Sequence, residues 1–541
     1  MKKYLKSLAS VFICAMMPTL LTSCSFEDSP APVPDTEPEA SPLADVTIMY
    51  YAHGGGNLDL YYIGNLRGMY EAAASSYKNV NIAVEYKFST DGKLPVSADE
   101  ERAKEMDELV ESEGKAFEKK FSNRDYLIWM DPDGSSTFRF VVDPEQTLKE
   151  QAKGHYLPGK NAEITHPDSL TNFINWVAKT CPAKKYVLVL NDHGGGYAPH
   201  AEIFNGSSAT TRGIIYDDGH NGRHFSAPSL VHAIKAANIR PDVVYYDACL
   251  MNTLEYAFEL KDVTDYIVAS TFVTKAGAPY ATLIDIMSKA SDHMKYALEK
   301  YTEYYVKSFD RKDEDDVFYY DMTVTETAKL DLLGKSMREF TDRLCNTYKN
   351  GTTEQKRKID DVTKNAVRVT KSGALYDVGR YMEAMRKALP EVFDDAFWTV
   401  LKESFNDCIV GQYASKYLLK RDYQVDYSVL LATKGAYITS SWKNLNTSPK
   451  ILTNLTYYYP DGNYTVFKIG DGEFTDGVTP DYSMEINRQG QWGGTLESVY
   501  GALAFDKATG WSRWLLLNEQ EPSLWSKNDF KSPLPEIGET E

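Results

Sequence analysis

Two stretches decide the fold: YVLVLNDHGGGY at 186–197 and DVVYYDACLMNTLEYAFEL at 242–260. In each, a run of Val, Leu and Tyr reads as a buried strand, and a polar, reactive residue follows at its end. The first run ends in a glycine turn around His193, and the second presents Cys249. In an open parallel sheet, ligands bind in the crevice outside the carboxyl ends of the strands. A His and a Cys delivered there are candidates for a base and a nucleophile.

Outward from these strings, strands and helices alternate. DVTIMYYAHGGGN (45–57) is a strand and a glycine turn, followed by helical spacing in LDLYYIGNLRGMYEAAASS. NVNIAVEYKF is a second strand, and the charged run 98–120 an exposed helix or insertion. RDYLIWMDPDG and SSTFRFVVD are further strands, and SLTNFINWVAKTC is an amphipathic helix leading into the His193 strand. GIIYDDG, the helix SAPSLVHAIKAANI, a helix running on from Cys249 and the strand TDYIVAST complete the series. This alternation predicts an α/β fold over 45–310, a mostly parallel sheet flanked by helices. From about residue 310, long helical patterns precede a Tyr, Thr and Gly-rich tail that reads as short strands. Residues 311–541 are therefore expected to be an α+β extension packed on the core.

Composition narrows the function. The 541 residues are 43% apolar and 25% charged, the balance of an ordinary globular protein. The formal charge of −18 argues against nucleic-acid binding, which needs clustered Lys and Arg. Residues 1–23 read as an export signal, with MKKYLK as the basic start and VFICAMMPTLL as the apolar stretch. Leu21, Thr22, Ser23 and Cys24 resemble a bacterial lipobox, which makes Cys24 the lipidation site. The acidic residues that follow resemble the surface-export tags of Bacteroides-type lipoproteins. Residues 24–44 then form a Pro-rich, acidic tether. Beyond Cys24, the widely spaced Cys181, Cys249, Cys345 and Cys408 suit buried or catalytic thiols better than a disulfide framework.

A thiol nucleophile needs a base or an electropositive setting, and backbone donors for the tetrahedral oxyanion. His193 can supply the base, and the N–H groups of Gly194 and Cys249 the oxyanion hole. The competing reading of Cys249 is a small core residue. Asp247, two residues earlier in the same strand, points to the same side of the sheet and could pair with a basic substrate residue. Its competing role is to cap the following helix. His53 stands in a second HGGG string, but no GxSxG elbow accompanies it. Asp217, Asp218, His220 and His224 match no standard zinc spacing.

With VLVLNDHGGGY, RGIIYDDG and YYDACLMNTLEYAFELKDVTDYIVAS read, the chain resembles the clostripain-type cysteine peptidases of the caspase-like clan. The resemblance extends from IMYYAHGGGNLD to YGALAFDKATGWSRW, roughly residues 45–515 in order. It implies that His193 is the catalytic histidine, Cys249 the nucleophile and Asp247 the floor of the pocket for the residue before the cut. It also implies self-cleavage in the loop between His and Cys, where Arg212 is the first basic residue. Calcium comes with the family rather than with any EF-hand loop, which leaves Asp217 and Asp218 as weak ligand candidates. One string departs: in ASTFVTKAGAPY, Thr271 and Phe272 stand where the family carries acids, and Lys275 is added. That removes the acid reinforcement of a basic pocket. Two functions are open at this point: a lipid-anchored cysteine endopeptidase at the outer membrane, acting on proteins or peptides, or a non-catalytic surface lipoprotein capturing peptides or glycans.

Overall fold

The structure is a computed structural model. It describes residues 42–54, 58–74, 79–87, 137–146, 162–194, 196, 213–217, 223–271, 274, 277–309, 321–364, 376–414 and 503–519, and four short strand segments between 446 and 494. The strands, in chain order, are β1 (Ala44–His53), β2 (Val80–Lys87), β3 (Thr137–Val141), β4 (Ala183–Asn191), β5 (Ile214–Asp217), β6 (Arg223–Phe225), β7 (Val243–Asp247), β8 (Tyr266–Ala269), β9 (Asp321–Glu326), β10 (Tyr376–Asp377) and β11 (Ile409–Ala414).

Eight of these form one sheet in the order β11-β9-β8-β7-β4-β1-β2-β3. The five central strands, from β8 to β2, run parallel. Antiparallel β3 closes one edge, and β9 and β11 extend the other. The mostly parallel α/β architecture expected of a caspase-like fold is therefore present. Such a sheet must be covered on both faces, and the alternation of its strands shows how. Ile48, Tyr50, Val187, Val189, Val243 and Tyr245 pack with the helices Asp59–Ala74, Tyr280–Ala290 and Met294–Phe309. Met49, Tyr51, Leu188, Leu190, Val244 and Tyr246 pack with Pro167–Thr180, Ala227–Ala236, Leu254–Leu260 and Leu330–Asn350.

The change of character near residue 310 does not end the sheet. β9 and β11 both come from beyond it, and the helices Leu330–Asn350, Val378–Ala388 and Asp395–Cys408 share the second core with β4 and β7. The strand reading of the tail is corrected at its end. Ala504–Thr509 and Ser512–Glu519 are helices, and Phe505, Trp511 and Trp514 are buried in the same core. Gly510, left-handed at φ 63°, separates the two helices. Short antiparallel strands do occur earlier, at Tyr464–Val466, Glu485–Ile486 and Trp492–Gly494. The charged run 98–120 and RDYLIWMDPDG lie outside the described residues.

Charges are also buried at the carboxyl ends of the parallel strands. Lys87, the last residue of β2, donates from Nζ to Asp217 Oδ1 at 2.6 Å, with both side chains fully buried. The other Asp217 oxygen accepts the Ile164 N–H at 3.0 Å. Removing one partner of such a pair leaves an uncompensated buried charge. Lys87→Met should therefore destabilise the fold by about 3–5 kcal/mol, with part of that regained in Lys87→Met/Asp217→Asn. Chemical denaturation checks this, and an unchanged midpoint in the single variant would contradict it.

Candidate active site

The pairing of β4 with β7 sets the site. Asn191 and Asp247, the last residues of these strands, are register partners, so His193 and Cys249 each lie two residues beyond the same rung. Asp192 and Ala248 are buried, whereas His193, Cys249 and Leu250 are half-buried. The two reactive residues are thus where the chain reaches the surface.

Leu250 adopts φ 64°, a left-handed conformation that costs a non-glycine residue roughly 1–2 kcal/mol. It turns the chain directly after Cys249, so the expected helix does not run on from that residue. That helix begins at Leu254 and is capped by Thr253, whose hydroxyl accepts the Tyr256 N–H. Thr253, not Asp247, is the helix cap.

The turn after His193 lies against the Cys249 turn. A methyl group on Gly194 would overlap the Cys249 carbonyl oxygen and come within 2.9 Å of Ala248 Cβ and 3.0 Å of Met251 Cγ. Only glycine permits this approach. Asp192 braces the same turn: Oδ1 accepts the His193 N–H and Oδ2 accepts the Tyr216 N–H, each at 2.6 Å. One carboxylate therefore ties the histidine turn to β5. Gly194 forms a β-bridge to Ile214, and Ile215 takes φ 62° beside it, an outlier for a β-branched residue. No sequence motif pointed to Asp192 as the brace, because it acts on backbone N–H groups.

Burial dominates the electrostatics. It pushes the Cys249 thiol above its ordinary value, and Asp247 adds to that, while hydrogen bonds from Thr274 pull the other way. Burial holds the His193 imidazole below its ordinary value, and the second imidazole, His53, lowers it further. These directions favour the neutral thiol and the neutral imidazole, and the neutral form is the one in which a histidine can act as general base. His53 is fully buried at the end of β1, with Nδ1 2.7 Å from the Lys87 carbonyl and Nε2 3.9 Å from Asp217 Oδ1.

Asp247 is buried and accepts from Tyr280 Oη and Asn191 Nδ2, both at 2.6 Å. Tyr50 Oη donates to Asn191 Oδ1 and accepts from Asn65 Nδ2, so the acid belongs to a chain of five polar side chains running from Tyr280 to Asn65. Burial pushes its pKa up to about 6 against these hydrogen bonds. Asp217, a weak calcium candidate, is taken up by Lys87 and the Ile164 N–H. Among the described residues, no group of three or more His, Cys, Asp or Glu is placed to hold a metal ion. Cys24, Arg212, Asp218, His220, Phe272 and Lys275 lie outside the described residues. Among the described residues, Cys181, Cys249, Cys345 and Cys408 are not joined in disulfides.

A half-exposed thiol, with a neutral imidazole in the adjoining turn at the carboxyl ends of a parallel sheet, is the layout a thiol hydrolase requires. The model of the clostripain family matches residues 50–467, and the chain belongs to that family of cysteine peptidases. Clostripain of Hathewaya histolytica is 27% identical over 145 residues, 24% of this chain and 26% of that protein. The alignment thus spans about a quarter of that relative. A secreted C11 cysteine protease from Bacteroides thetaiotaomicron ("iotapain") aligns over 69% of this chain and 87% of its own, at TM-score 0.47 and 17% identity. An inactive zymogen C11 protease from Parabacteroides distasonis aligns over 71% and 85%, at TM-score 0.42 and 17% identity.

Gly194→Ala should lower stability by about 1–3 kcal/mol, because the added methyl forces the two turns apart. A denaturation midpoint equal to wild type would show that they are not in contact.

Proposed function

We propose that the chain is an exported, lipid-anchored cysteine endopeptidase in which Cys249 is the nucleophile and His193 the general base. The observation that carries this reading is the approach of Gly194 to the Cys249 backbone, which brings the histidine turn and the nucleophile turn to one place. As Cys249 sulfur attacks the substrate carbonyl, His193 takes the thiol proton. It then returns a proton to the leaving amine, and water hydrolyses the acyl-enzyme. The Gly194 and Cys249 N–H groups form the oxyanion hole, in line with the tight packing of that turn.

Asp247 is the acid of the pocket for the residue preceding the cut, and Tyr280 and Asn191 hold its carboxylate. Arg212, between His193 and Cys249 in the sequence, is the self-cleavage site, and Cys24 carries the lipid anchor at the outer membrane.

A peptide library incubated with the full chain and with Cys249→Ala, and read by mass spectrometry, tests the whole reading. Cuts by wild type that are absent from the variant are expected. A folded chain already cut near Arg212 that makes no cuts would return the protein to the non-catalytic binding class. The same assay tests Asp247. Its carboxyl loses its proton as pH rises through about 6, so cleavage after Arg or Lys, relative to cleavage after uncharged residues, should rise through about pH 6 and then level off. The ratio cancels any titration of the thiol and imidazole. Asp247→Asn should flatten it, and a ratio that rises equally in the variant would remove Asp247 from the pocket.

A further inference from the structure

Thr274 reaches the nucleophile from a segment that supplies neither the histidine turn nor the cysteine turn. It lies between β8 and the helix Tyr280–Ala290. Its backbone N–H donates to Cys249 Sγ at 3.2 Å, and its hydroxyl oxygen stands 3.6 Å from the same sulfur. The Thr274 carbonyl, the acceptor for a neutral S–H, is farther away at 4.0 Å. Donors that face an ionisable group favour its anionic form; the nearest contact here, the Thr274 N–H, is a donor, and the hydroxyl can donate to the same sulfur once it is a thiolate. We propose that Thr274 is a catalytic residue of this site, whose N–H and hydroxyl hold the Cys249 sulfur as thiolate while His193 carries the proton.

This rests on Cys249 being the nucleophile. In the step itself the S–H bond breaks, its proton goes to a ring nitrogen of His193, and the electron pair stays on sulfur. No further reactant is needed. The surroundings make such help necessary. Among the described residues, the ionisable groups at this end of the sheet include Asp247 from β7, Asp192 and His193 from the turn after β4, His53 and Lys87 from the ends of β1 and β2, Asp217 of β5 against Lys87, and Asp321 at the start of β9. Lys275 lies outside the described residues. Burial and Asp247 both oppose a negative sulfur, and the two hydrogen bonds from Thr274 are what oppose them. A threonine serves both purposes: its backbone donor is available to any residue, whereas its hydroxyl is lost in an isosteric valine.

Alkylation of Cys249 by iodoacetamide, followed against pH by intact mass and peptide mapping, tests the inference on the full chain. Thr274→Val should slow the reaction at pH 7 about threefold. The thiolate fraction falls about fivefold with the loss of one hydrogen bond, and higher intrinsic nucleophilicity recovers part of that. The midpoint of the rate-pH curve should move upward, and Thr274→Ser should restore both. In peptide cleavage, Val at 274 should lower kcat and leave KM in place. Should the valine variant lack a native melting transition, Thr274→Ala against Thr274→Ser makes the same comparison. Equal rates and midpoints in wild type and Val, or a Ser variant as slow as Val, would overturn the proposal. Alkylation needs no peptidase turnover. A Thr274 effect on alkylation with no cleavage by any variant would therefore sink the peptidase reading and leave the thiolate contact standing.

Discussion

The parallel pairing of β4 with β7 is the constraint on which the site depends. It levels Asn191 with Asp247, and every other placement follows from that rung. His193 and Cys249 lie equally far beyond it, and Asn191 itself donates to the Asp247 carboxylate. A slip of one residue would turn every side chain of β7 to the opposite face, burying Asp247 among the helices that cover Tyr246. The burial of Val187, Val189, Val243 and Tyr245 on one face and of Leu188, Leu190, Val244 and Tyr246 on the other resists that slip.

Around this rung, desolvation is the largest influence on all three ionisable groups of the candidate site. It raises Cys249 and Asp247 and lowers His193. Both directions favour the neutral thiol and the neutral imidazole over a preformed thiolate-imidazolium pair. Such a site depends on donors aimed at the developing charge. The Thr274 N–H on the sulfur is of that kind.

The parallel core and the two reactive turns were legible because each is a local pattern, a long apolar run ending in a glycine turn or a lone Cys. The same locality explains the errors. The tail at 503–519 reads as strand from its aromatic and glycine content, yet Phe505, Trp511 and Trp514 fill the core beside Leu330–Asn350 as helical residues. β9 and β11 are short and lie among strongly helical segments, so their place at the sheet edge emerges only from pairing. Leu250 breaks the helical pattern after Cys249 through backbone conformation, which side-chain periodicity does not register. Asp192 and Thr274 share a second difficulty. Each acts on an atom brought near by tertiary structure, through a carboxylate on backbone N–H groups or a backbone N–H on sulfur.

The most direct test of a paired Cys249 and His193 is covalent trapping. The full chain would be treated with a peptide carrying an electrophilic ketone at its carboxyl end, and the adduct located by peptide mapping. The account predicts one adduct per chain, on Cys249, and its loss in His193→Gln. An adduct on Cys181, Cys345 or Cys408, or labelling of Cys249 at the wild-type rate in the His193 variant, would contradict it.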